Sequence, residues 1–162
     1  MPSNNARVLA VDPGYERLGL AVLEKNLGKE VLLFSTCLQT PKNLPPEERL
    51  LMIKNETERI IKEFNPVHLA IEGLFFSKNK KTALMVAEAR GVVLGVSAEN
   101  NIPVSEINPL RVKIAVTGYG RSKKTDVFFM VRKLVKLPDK KMFDDEIDAV
   151  AIGLAFLAEK RG

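Results

Sequence analysis

Apolar residues in this chain fall into short runs and helical stripes whose order can be followed from end to end. Arg7-Val-Leu-Ala-Val-Asp12 is a β-branched apolar run stopped by Asp-Pro-Gly, a turn signal. Leu18 to Leu23 is a second run, followed by a polar turn ending at Gly28-Lys29, and Glu30 to Cys37 is a third. Strands this close in sequence predict an antiparallel meander, because parallel neighbours need a much longer crossover. Pro45-Pro46-Glu47-Glu48 puts proline and acid where a helix starts. Leu50, Ile53, Thr57, Ile60, Ile61 and Phe64 then recur at helical spacing, and Asn65-Pro66 ends the stripe.

Val67 to Glu72 predicts a fourth strand, and a helix is expected from about Thr82 to Ala98. That helix carries apolar residues on more than one face, which points to a partner as well as a core. Ile102 to Ile107 predicts a fifth strand. Asn108-Pro109 is a cap and first-turn pair for a short helix to Val116. Thr117 to Lys124 reads as a flexible basic loop; Val127, Met130, Val131, Leu134 and Val135 mark a helix stopped by Pro138. A last helix runs from about Asp144 to Lys160. The order βββαβαβααα predicts an α/β fold: a mixed five-stranded sheet, meander plus parallel strands, with helices on both faces. One domain is expected over residues 1–162, with no repeats or linkers.

Composition narrows the function classes. With 46% apolar residues the chain should fold, and 25 Lys and Arg against 20 Asp and Glu give a modest +5. Cys37 and His68 are the only cysteine and histidine. An internal disulfide, a cysteine-based zinc site and a multi-histidine site are therefore excluded, and a Ser-His-Asp triad is not expected. Residues 1–7 lack a signal pattern, and Ala83 to Ala98 is too short and too charged to span a bilayer. A reduced cytoplasm with no membrane partner is the expected setting.

Three acidic features stand out, each with a plainer explanation. Asp12 can serve its own Asp-Pro-Gly turn. Glu72 can be a solvated strand end. Asp144-Asp145-Glu146-Ile147-Asp148 can complement the dipole of the last helix. Together they carry more weight. Asp145 and Asp148 are three apart and share a helix face. Asp148 is followed by Ala149-Val150-Ala151-Ile152, a wall beside which a carboxylate is costly without a compensating cation. Four carboxylates from three segments would repel one another when gathered, and Mg²⁺, with its preference for hard oxygen ligands, answers that repulsion.

The segments Val-Asp12-Pro-Gly, Ala-Ile-Glu72-Gly-Leu-Phe75, Ala89-Arg-Gly-Val and Asp145-Glu-Ile-Asp148-Ala-Val-Ala-Ile occur in order across nearly the whole chain. In that order and spacing they resemble the RuvC family of Holliday-junction resolvases. The resemblance implies an RNase H-like fold, a homodimer and symmetric nicking of four-way junction DNA in recombination and repair. It also implies two Mg²⁺ per active site, with Mn²⁺ able to substitute, and a branch-migration helicase complex as a further partner. Asp12, Glu72, Asp145 and Asp148 match the family's catalytic, metal-holding carboxylates; Asp144 competes with Asp145, and the family spacing favours Asp145. Where the family's last helix often has a histidine, this chain has Phe156.

Basic residues accompany these acids: Lys78, Lys80 and Lys81, then Arg111, Lys113, Arg121, Lys123 and Lys124. Singly each reads as solvated surface; beside carboxylates with an anionic substrate they read as DNA contacts. The resemblance implies backbone contacts for Lys113 and Lys124 and a stacking role for Phe75. Phe75 is expected to face DNA and Phe76 to pack inward. Gly118-Tyr-Gly120 lacks the third glycine and preceding strand of a dinucleotide site. In the predicted helix, Ala83, Val86, Ala87, Arg90 and Leu94 form the expected dimer interface.

Three rivals stay open. The hairpin Val11 to Val22 also resembles the first phosphate-binding hairpin of actin-like phosphotransferases, which close two such domains over a nucleotide. A nuclease acting on ribosomal RNA precursors would share the fold and metals. A catalytically silent nucleic-acid-binding module would keep the basic surface.

Overall fold

A computed structural model describes residues 6–73 and 79–160. Its elements follow the expected order: β1 (Val8–Asp12), β2 (Arg17–Asn26), β3 (Lys29–Gln39), α1 (Pro46–Phe64), β4 (His68–Glu72), α2 (Lys80–Glu99), β5 (Val104–Ile107), α3 (Pro109–Thr117), α4 (Lys124–Leu134) and α5 (Asp144–Glu159). The sheet order is β3-β2-β1-β4-β5. β1 and β3 pair antiparallel with β2; β4 pairs parallel with β1 and with β5. The β2–β3 hairpin is longer than its apolar runs, because Glu24 to Asn26 continue the ladder to a turn at Leu27 and Gly28. Both turn residues have positive φ, 48° and 80°. That is the twist a tight hairpin requires.

Strand parity divides the core. Leu9, Val11, Leu18, Leu20, Val22, Leu69 and Ile71 point to one face and pack with Ile53, Ile60 and Ile61 of α1 and Ala89, Val93 and Val96 of α2. Val8, Ala10, Ala21, Leu23, Ala70 and Ile107 point to the other, under α3, α4 and α5. The second face is built from smaller residues, and α5 lies close to it. A Cβ at Gly153 would meet Leu23 Cδ1 at 2.4 Å and Ala10 Cβ at 3.2 Å. From Ile147 to Leu157 only Asp148 of α5 is not buried, so this helix is the centre of its layer.

Helix ends follow the sequence cues. Pro46 opens α1, and Asn65 closes it with φ 49°. Asn108 Oδ1 accepts from the Leu110 amide at 2.8 Å to cap α3, and Gly118 closes that helix at φ 78°. No helix among the described residues is long and apolar enough to cross a membrane.

Candidate active site

Parity also sets where the acids go. Asp12 is in phase with Val8 and Ala10, and Glu72 with Ala70, so both project toward α5 from the C-terminal ends of adjacent parallel strands. Gly19, opposite Asp12 in the β1–β2 register, lets the first turn of α5 descend beside them. A Cβ there would lie 1.9 Å from the Asp145 carbonyl oxygen and 3.2 Å from Asp12 Cβ. Only glycine admits so close a backbone approach. The sheet end and the helix start thereby bring Asp12, Glu72, Asp145 and Asp148 into one electrostatic neighbourhood.

Burial and neighbouring charge raise three of these carboxyls. Burial, then the charges of Asp148, Glu72 and Asp145, push the Asp12 carboxyl up to about 9. The contact between Asp12 and Glu72 raises the Asp12 carboxyl further and lowers that of Glu72. Glu72 is raised by its burial and by Asp148, against the lowering effects of Asp12 and Lys124. Asp148 is raised by burial first, with Asp145 and Asp144 adding and Lys124 opposing.

Lys124 and Arg17 engage Asp144, Asp145 and Asp148 of α5. Lys124 Nζ lies 3.1 Å from Asp148 Oδ2 and 4.0 Å from Asp144 Oδ2. Burial disfavours the Lys124 charge, but Asp148, Asp144 and Asp12 outweigh it and hold the ammonium above its usual range. Arg17 Nε lies 3.5 Å from Asp145 Oδ2, and its guanidinium sits over the Phe143 ring at 5.5 Å. In this arrangement no three His, Cys, Asp or Glu side chains among the described residues close up tightly enough to hold a metal ion. The donor set nonetheless fits a hard divalent cation: carboxylate oxygens from three elements, with Asp12 raised first by burial and then by the charges of its neighbours. Asp144 is the outlier of the acidic run, 68% exposed at its side chain against 30% for Asp145.

The basic residues divide. Lys113, Lys123 and Lys124 line a cavity of about 360 Å³ together with Glu72, Asp148 and Ser122. The loop expected to be flexible is tied down. Thr117 Oγ1 donates to the Lys113 carbonyl at 2.8 Å and lies 3.0 Å from Ser122 Oγ, which is buried. Arg121 is exposed on that loop, and Lys80 and Lys81 are exposed in the first turn of α2. Arg111 turns away: its Nε pairs with Glu159 at 3.2 Å, at the far end of α5. Eleven residues separate Glu159 from Asp148, about 16 Å along the helix axis. Phe75, Phe76 and Lys78 lie outside the described residues. Phe156 is buried, with its ring 5.3 Å from that of His68, so the family's histidine position is a core position here.

Sequence reasoning passed over Arg17, Ser122 and Glu146 as members of this neighbourhood. Glu146 had a readable signal, since it falls in line with Val150, Gly153 and Leu157 on the core face of α5. Arg17 and Ser122 had none, because both depend on how distant segments meet.

The family model described as crossover junction endodeoxyribonuclease RuvC matches residues 8–156. This chain belongs to the RuvC family. Its crossover junction endodeoxyribonuclease relative from Desulfitobacterium hafniense is 44% identical over 147 residues, covering 91% of this chain and 89% of that protein. The relative of the same name from Thermotoga maritima is 40% identical over 155 residues, covering 96% and 92%. The T. thermophilus RuvC solved in complex with a Holliday-junction substrate superposes with a TM-score of 0.90 at 32% identity, covering 96% of this chain and 95% of that one. The expected RNase H-like α/β architecture is thus the RuvC fold, with its five-stranded mixed sheet.

Proposed function

We propose that this chain resolves four-way DNA junctions by divalent-metal-dependent phosphodiester hydrolysis, with Asp12, Glu72, Asp145 and Asp148 as its metal-holding acids. The observation that carries the reading is the convergence of Asp12, Glu72 and Asp148. They come from two strand ends and a helix start, and burial together with the neighbouring charges pushes Asp12 up to about 9. Family membership supports the substrate class: the matching relatives are named crossover junction endodeoxyribonucleases, and the T. thermophilus neighbour is bound to a Holliday junction. Mg²⁺ is the metal we assign, with Mn²⁺ able to substitute, and residues 1–162 act as one domain.

When bound, the metal supplies Lewis acidity at the scissile phosphate and acidifies the attacking water. The protein's own groups do the rest. Asp12, whose carboxyl is raised by burial and by its acidic neighbours, would act as a ligand in its ionised form. Lys124 pairs with Asp148 at 3.1 Å, and its ammonium would be free to hold a phosphate oxygen if Asp148 served as a metal ligand. Lys113 and Lys123 line the same cavity and orient the DNA backbone there. Arg121, Lys80 and Lys81 extend the basic rim. The two lysines open α2 with no acid in its first turn, an arrangement a bound phosphate would make favourable. Arg111 stands outside this footprint because Glu159 already engages it.

Two coordinated cuts in a two-fold junction call for a two-fold dimer. We place its interface on α2, where Leu84 is 66% exposed and a side chain at Gly91 or Gly95 would meet open space. Ala83, Val86, Ala87 and Leu94 are half-buried there. Arg90, expected in the interface, is instead buried within the protomer and paired with Glu106. A branch-migration helicase complex remains the proposed source of the junction.

The test is cleavage of a synthetic mobile junction with Mg²⁺, set beside duplex DNA, structured RNA and ATP. Paired symmetric nicks in the junction alone are expected. Asp148→Asn should abolish nicking while leaving junction binding largely intact; normal turnover by that variant, or a preference for RNA, would overturn the assignment.

A further inference from the structure

Glu146 stands between the two acids of α5 and is 2% exposed. Its Oε1 accepts from Ser35 Oγ at 2.7 Å and forms an ion pair with Lys140 Nζ at 2.8 Å. Lys140 Nζ also donates to the Ser35 carbonyl at 3.4 Å. An ion so buried is costly to a fold unless paired, and breaking such a pair is costlier still. The pairing joins three pieces of chain: the start of α5, the middle of β3 and the segment between α4 and α5.

The geometry constrains what the first turn of α5 can do. The Asp145 carbonyl rests against Gly19 of β2. On the neighbouring strand the Glu146 side chain is fixed to β3 through Ser35. A helical turn held at two points cannot roll about its axis, and that roll decides where Asp145 and Asp148 project. Glu146 itself points along the core stripe with Val150 and Gly153, away from the acids that flank it.

We propose that Glu146, through Ser35 and Lys140, is a positioning residue that sets Asp145 and Asp148 for metal binding beside Asp12 without being a ligand itself. The inference rests on the functional reading above and adds a residue to it. The Ser35 hydrogen bond and the Lys140 contact go to the same oxygen, so glutamine can present a carbonyl in that place and keep the clamp. Leucine cannot.

The experiment measures Mn²⁺ binding by calorimetry on the full chain without DNA, junction affinity in EDTA, single-turnover cleavage across Mn²⁺ concentration, and thermal unfolding. Glu146→Leu should weaken Mn²⁺ binding about tenfold, the scale typical of groups that orient metal ligands. Its junction affinity in EDTA should stay within about twofold, and high Mn²⁺ should restore most of its cleavage. Glu146→Gln should stay within about threefold of the parent in all three. Ser35→Ala, a milder lesion for use should the leucine variant fail to fold, should raise the Mn²⁺ requirement by about threefold. Equal losses in Glu146→Gln and Glu146→Leu would overturn the proposal by making the charge a direct participant. So would an unchanged Mn²⁺ affinity in the leucine or alanine variant, or losses of metal and junction binding that merely track the folded fraction. A parent protein that neither binds Mn²⁺ nor cuts the junction would sink the functional reading and this one with it; a parent that does both isolates the clamp.

Discussion

Asp12→Asn should make the metal-free protein more stable at neutral and alkaline pH, although it removes the central acid of the site. The Asp12 carboxyl is pushed up to about 9 by burial and by Asp148, Glu72 and Asp145. In the unfolded chain an aspartate titrates near ~3.9. The folded state therefore keeps a proton that the unfolded state has lost. The associated stability is complete below about pH 4 and is lost as pH rises toward about 9. At ~1.36 kcal/mol per pH unit, the three units from pH 5 to pH 8 set a ceiling of about 4 kcal/mol. Reorientation of Lys124 and Arg17 and entry of water reduce this, so about 2 kcal/mol is the expected change. In a chain of this size that corresponds to about 4–8 °C in melting temperature. Asparagine can still donate to Glu72 through its amide but has no proton to lose. Circular-dichroism melts in EDTA at pH 5, 6, 7 and 8 should show the variant's advantage growing across the series. Mg²⁺ should raise the parent's melting temperature and narrow the gap. A gap of constant size, or a variant less stable than the parent at pH 8, would refute the view of Asp12 as a buried acid crowded by its neighbours.

Two further outcomes follow from contacts at the same site. Gly19→Ala places a Cβ 1.9 Å from the Asp145 carbonyl oxygen, so the start of α5 must lift. A loss of about 1–3 kcal/mol is expected in denaturant unfolding, with cleavage falling further than the lost folded fraction explains. Lys124→Met removes the partner of Asp148 and one cation from the cavity. Cleavage should fall, and the slope of log affinity against log salt for the junction should shrink by about one in filter-binding or fluorescence titrations; an unchanged slope would remove Lys124 from the DNA contacts.

Nearly all of the fold was legible because its signals are local. Turn residues such as Asp12-Pro13-Gly14, Asn65-Pro66 and Gly118 mark element ends, and the two parities of β1 announce a sheet covered on both faces. The acids were legible for the same reason, as each ends a strand or starts a helix. What escaped was relational. Arg111 and Lys113 are both basic and two apart on one short helix, yet one turns to Glu159 and the other to the cavity. Lys124 was expected on the DNA, and its contact with Asp148 depends on how α4 is laid against α5. Arg90 reads as an interface residue on a two-faced helix, and only the position of β5 reveals Glu106 as its partner.

The small residues under α5 belong to the chemistry as much as to the packing. Val8, Ala10 and Asp12 share one parity, as do Ala70 and Glu72, so a register slip of one residue would turn both carboxyl groups toward α1 and α2. Correct parity is insufficient alone, because a sheet face of leucines would hold a helix too high for its first turn to meet acids on the strand ends. Ala10, Ala21 and Ala70 lower that face, Gly153 removes the side chain that would strike Leu23, and Gly19 removes the one that would strike Asp145. Each is unremarkable as a core residue. Placed under one helix, they fix the height at which Asp145 and Asp148 meet Asp12 and Glu72. The upward shift of Asp12 follows from that height, first through its burial under α5 and then through the charges of Asp148, Glu72 and Asp145, which approach because the surface beneath α5 is cut low enough to let them.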